Sequence, residues 1–145
     1  MPTLDSIIIF DWDGDLRYYE DLRALAANIE SNDLYDDGAG VRNRIAYDSS
    51  GCKYMVSLSE KPDLEYVQMY DFKYPAKIFK LPPESRDAEG LNRILTEFEG
   101  AEFRNASTED ILRYNISQGN VTTLSAEARN WKPSAISEWL HRWFG

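Results

Sequence analysis

Residues 44–72 read RIAYDSSGCKYMVSLSEKPDLEYVQMYDF, and this stretch settles what kind of fold to expect. Three strand-like runs, Arg44 to Asp48, Lys53 to Ser59 and Glu65 to Phe72, are separated by Ser49-Ser50-Gly51 and by Glu60-Lys61-Pro62-Asp63. Connections that short join antiparallel neighbours, whereas parallel strands need a long crossover. In the middle run Tyr54, Val56 and Leu58 fall on one face and Met55 on the other, the alternation of a pleated strand. A fourth strand is expected over Ala76 to Leu81, after Pro75. The stretch therefore reads as an antiparallel meander of three to four strands.

Outward from the meander the pattern changes. Upstream, Ile7-Ile8-Ile9-Phe10 is a continuous apolar run closed by Asp11, as expected of a strand buried on both faces. An amphipathic helix is expected next, with Tyr18, Leu22, Leu25, Ala26 and Ile29 at helical spacing and Asp15 as its N-cap. Asp36-Asp37-Gly38-Ala39-Gly40 ends it. Downstream, Pro82-Pro83 closes the sheet region. Leu91, Ile94, Leu95 and Phe98 then mark a second helix stopped by Gly100. A short helix follows, capped by Ser107 or Asp110 and broken at Gly119-Asn120. A last one begins near Pro133 and carries Ile136, Trp139, Leu140, Trp143 and Phe144 on one stripe. The fold class expected is α+β: an N-terminal strand and helix, the meander, and a helical C-terminal part packed on one face. With 145 residues and no repeat or linker, a single domain over 1–145 is expected.

Composition narrows the function classes. No run approaches the ~20 apolar residues a membrane span needs, so no membrane partner is expected. Met1 to Ser6 lacks the basic start and apolar core of a secretory signal. One cysteine, Cys52, and one histidine, His141, exclude an internal disulfide and a zinc site of the usual His/Cys type. No cofactor is expected, and a cytoplasmic location fits the lone thiol. The net charge of −9 is uneven: the first 37 residues hold ten acids against Arg17 and Arg23, while residues 101–145 balance five against five. Charge informs partners rather than fold. An acidic start repels nucleic acid and attracts basic proteins.

Ile8-Ile9-Phe10-Asp11-Trp12-Asp13-Gly14-Asp15-Leu16 resembles the opening motif of haloacid dehalogenase-type phosphatases, an apolar strand ending in Asp-x-Asp-Gly. The resemblance implies a repeating strand–helix order and a magnesium-dependent phosphatase. Asp11 would be its nucleophile, Asp13 its acid/base, Ser57 its hydroxyl and Lys73 or Lys77 its cation. The sequence departs from the motif at Asp15, where the family has Thr or Val, and Glu109-Asp110 opens a helix instead of completing a metal site. As a calcium loop the same triplet fails, since Leu16 and Leu22 stand where an EF-hand needs Gly and Glu. A third reading takes the C-terminal helices as a helix-turn-helix DNA reader. Their neutral charge lacks the basic stripe that phosphate binding needs.

The same region combines carboxylates with phenol rings, and nine tyrosines is rich for this length. Asp11, Asp13, Asp15, Tyr18, Tyr19, Asp33, Tyr35, Asp36 and Asp37 are the candidate binding residues. Tyrosine gives rigid contact area with a polar tip, and carboxylates around it steer a basic partner. In size and charge the chain is similar to immunity proteins, which neutralise basic nuclease toxins, and to nucleic-acid-mimicking inhibitors. The leading expectation is a non-enzymatic acidic protein that blocks a basic partner such as a nuclease or other effector.

Overall fold

A computed structural model describes residues 2–12, 14–28, 35–36, 40–41, 44–57, 66–68 and 77–123. In chain order the strands are β1 (Ile8–Trp12), β2 (Asp15–Tyr19), β3 (Tyr35–Asp36), β4 (Gly40–Val41), β5 (Arg44–Asp48), β6 (Lys53–Ser57), β7 (Tyr66–Gln68), β8 (Lys77–Lys80) and β9 (Val121–Thr122). The helices are α1 (Leu22–Asn28), α2 (Ala88–Glu99) and α3 (Thr108–Ser117). Seven strands form one sheet in the order β7-β8-β6-β5-β1-β2-β9, and β3 pairs with β4 apart from it. Every pairing in the large sheet is antiparallel except β2 with β9. The α+β class holds, with α2 and α3 on one face.

β1 carries the core. Ile7 and Ile9 join Leu16, Tyr18 and Val121 against Leu91 and Leu95 of α2 and Ile111 and Leu112 of α3. On the opposite face of β1, Ile8 and Phe10 are equally buried. Alternate side chains of one strand thus enter packed layers on both sides, the reason its sequence is apolar without interruption.

Two expectations about order are corrected. Residues 15–19 are a strand, not the first turns of a helix, and Asp15 caps nothing: β2 runs back along β1 with Trp12 opposite Asp15 and Ile8 opposite Tyr19. The tip between them is an Asp-Gly pair, the preferred residues of a two-residue hairpin, and Gly14 has φ +87°. The helix starts at Leu22, where Asp21 Oδ1 accepts the Ala24 amide at 2.8 Å. The meander is also reordered, since β8 rather than β7 lies beside β6. The helix expected from Pro133 lies outside the described residues, as does Ile29.

The β5–β6 turn locks the helical layer to the sheet. Asp48 Oδ1 accepts from the amides of Ser50 (2.9 Å) and Cys52 (3.0 Å) and from Ser50 Oγ (2.7 Å). Gly51 closes this three-residue loop with φ +92°. Its carbonyl accepts the Asp87 amide at 3.0 Å. Asp87 in turn caps α2, its Oδ1 accepting the Gly90 amide at 2.9 Å. The turn and the helix start are therefore one unit.

Candidate functional site

The structure divides the sequence-derived binding residues. Asp15 is exposed and Asp11 half-buried. Asp11 Oδ1 accepts the Gly14 amide at 2.9 Å, so this carboxylate braces the hairpin tip. Tyr18 and Tyr19 are buried, with 5% and 4% exposure, which corrects their assignment to an exposed face. The cause is cover on both faces of β2: Tyr18 packs with Leu91 and Leu95 of α2 and Ile111 and Leu112 of α3, and Tyr19 lies on the other face, opposite buried Ile8. Tyr35 and Asp36 form β3, whose side chains are not described. Asp13, Asp33 and Asp37 lie outside the described residues.

The setting of Asp11 also differs from the strand–helix order that the phosphatase resemblance implies. β1 has antiparallel neighbours on both sides and turns directly into a strand. Ser57 and Lys77 are cross-strand partners, both buried. The register puts them on the same sheet face as Asp11, with Ile45 and Met55 between. Among the described residues no three His, Cys, Asp or Glu side chains converge as metal ligands. At the hairpin, Trp12 instead carries two guanidiniums, Arg17 at 3.9 Å and Arg44 at 5.7 Å from the ring centroid.

A cleft of about 350 Å³ opens between β2, β9 and the ends of α2 and α3. Leu16, Arg17, Tyr18, Tyr19, Phe98, Glu99, Asn115, Asn120 and Thr122 line it. The helices bring their ends here because they advance together. Asn92 bonds to Ala106 and Thr108 at the start of α3, and Glu99 bonds to Asn115 near its end.

One carboxylate organises the cleft. Glu99 Oε1 accepts from Tyr18 Oη at 2.7 Å and from Asn115 Nδ2 at 3.0 Å. Asn115 Nδ2 also donates to the Ile111 carbonyl at 2.9 Å, and its Oδ1 accepts from Asn120 Nδ2 at 2.9 Å. Asn115 is 1% exposed, so a missing partner there would be costly and the set is fixed as a whole. Glu99 is the last residue of α2. An acid at that end opposes the helix dipole, and this local misfit is the only sign of the site in the sequence. The reading from composition missed it.

Burial pushes the Tyr18 hydroxyl well above the ordinary value of 10.0, and Glu99 adds to this as hydrogen-bond partner and as charge, with a small opposing effect of Asn115. Burial also raises Tyr47 and Tyr54. A phenol that resists ionisation in the fold but not in the unfolded chain contributes stability that is whole below pH 10 and is lost above it. Tyr18→Phe should therefore lose about 1–2 kcal/mol near pH 8, with Glu99 short of one donor. Urea unfolding across about pH 8 to 11 should also show a shallower decline than in the parent. An unchanged alkaline slope would contradict the assignment.

Comparison with known protein families, with curated proteins and with solved structures gives no match.

Proposed function

We propose that this chain is a non-catalytic acidic protein that occupies and blocks a basic protein partner, in the manner of an immunity protein or a phage-encoded inhibitor. The observation that carries the reading is the charge: −9 in total, with ten acids against two arginines in the first 37 residues. A field of one sign raises the encounter rate with an oppositely charged partner and repels phosphate backbones. Exposed Asp5 and Asp15 and half-exposed Asp11, Glu20 and Asp21 contribute to it.

Aromatic anchoring moves with the burial of Tyr18 and Tyr19. Among the described residues the large apolar side chains left exposed are Phe98 at 41% and Tyr114 at 42%, both in the helical layer, and Tyr114 packs on Phe103 with centroids 5.0 Å apart. Partly buried aromatic side chains of this kind serve as contact anchors. The reading places the protein in the cytoplasm, where a single thiol stays reduced. Among the described residues no helix is long and apolar enough to cross a membrane.

The test uses the full chain as bait in extracts of its source cell, followed by titration of the purified partner. A partner with an isoelectric point well above neutrality is expected, binding with defined stoichiometry. Recovery of only acidic or neutral proteins, or of nothing that binds when purified, would remove the proposal.

A further inference from the structure

The cleft at the ends of α2 and α3 has a character of its own, distinct from the general negative charge. Glu99 is the one carboxylate among its described lining residues. Two fixed donors, Tyr18 and Asn115, hold its Oε1 in place, while an ionised carboxylate has about four acceptor sites in all. α2 ends at Glu99 itself and α3 ends two residues beyond Asn115. The C-terminal ends of both helices thus add partial negative charge to the same opening. Arg17 lines the cleft too, but its guanidinium lies over Trp12. Trp12 belongs to the sheet face opposite Tyr18, because Trp12 pairs with Asp15 and Ile9 with Tyr18. The arginine charge is therefore turned to the other side.

From this arrangement we infer that the cleft receives an arginine side chain of the basic partner, its guanidinium bonded to Glu99 and stacked against the Phe98 ring. The inference rests on the binding-protein reading and names its anchoring contact. Arginine suits the site better than lysine on three grounds. Its planar fork matches a carboxylate edge, it stacks on an aromatic face, and it is less strongly hydrated than an ammonium. Phe98 lines the cleft and is 41% exposed, and an aromatic ring attracts a guanidinium placed over it. A volume of about 350 Å³ is near the lower limit for small-molecule pockets and suits a single side chain.

The experiment titrates N-acetyl-arginine amide into the full chain and follows the side-chain amide resonances of Asn115 and Asn120. N-acetyl-lysine amide and N-acetyl-norleucine amide serve as comparisons. Saturable shifts are expected with the arginine probe, weaker ones with lysine and none with norleucine. Glu99→Gln keeps an oxygen for Tyr18 and Asn115 to bond and should weaken the arginine response about tenfold. Phe98→Ala, at an exposed position, should weaken it without disturbing the fold. Three results would overturn the inference: no saturable shift, an equal response to lysine or norleucine, or Glu99→Gln binding as well as the parent. The two proposals fail separately. A basic partner whose affinity ignores Glu99→Gln leaves the function and removes the cleft. A cleft that binds the probe when no basic partner exists does the reverse.

Discussion

Phe10→Ala should destabilise the protein by about 3–5 kcal/mol, the range for removing a buried aromatic ring. Phe10 is fully buried at the middle of β1, with Arg17 and Ala46 as its cross-strand neighbours. Ala46 is itself fully buried, so a large ring sits beside a small side chain and its removal leaves a space that Ala46 does not fill. Domains of this size are stable by about 5–15 kcal/mol, so much of the total would go. Urea unfolding should show a much lower midpoint with an unchanged slope. Phe98→Ala removes the same ring from an exposed position and should cost less than about 1 kcal/mol. A Phe10 variant within about 1 kcal/mol of the parent would mean that β1 is not the centre of the core.

Gly51→Ala should cost about 3 kcal/mol through two separable causes. Its φ of +92° is one that side chains rarely adopt, worth about 1–2 kcal/mol. An added Cβ would also lie 2.7 Å from both Cα and N of Ala88, in the first turn of α2. Backbone cannot rotate out of the way, so the helix start must move off the turn, and overpacking of that kind costs about 1–3 kcal/mol. Gly14→Ala separates the causes, because Gly14 has a similar φ of +87° with nothing among the described residues within 4 Å of its would-be Cβ. Its loss should be the conformational part alone. Equal losses at the two sites would show that α2 does not rest on the β5–β6 turn.

How far the sequence discloses this architecture depends on the range of the interaction involved. Local signals are faithful. The apolar run of β1, the Ser-Ser-Gly turn, the Gly100 stop of α2 and the Ser107 cap, whose Oγ accepts the Asp110 amide at 3.1 Å, each act within a few residues. β2 is misread because Tyr18, Leu22 and Leu25 fall at helical spacing by coincidence. The alternation that matters there is Leu16 and Tyr18 toward α2 and α3, with Tyr19 on the other face. The order of β7 and β8 and the parallel pairing of β9 are long-range choices that no turn residue announces. The candidate binding residues suffer for the same reason, since two rings assigned to the surface belong to a strand covered on both faces by parts of the chain distant in sequence. The cleft draws on Tyr18 and Glu99, 81 positions apart, and no short motif spans that distance.

What the functional account asserts is that opposite charge brings this chain to its partner. The most direct check is the association rate with the purified partner across a salt series. The series is repeated for a variant in which Asp5, Asp15, Glu20 and Asp21 become Asn or Gln. The parent should associate quickly at low salt and slow steeply as screening sets in. The variant should start roughly tenfold slower and respond less to salt. A rate indifferent to ionic strength, the same in both proteins, would contradict the account.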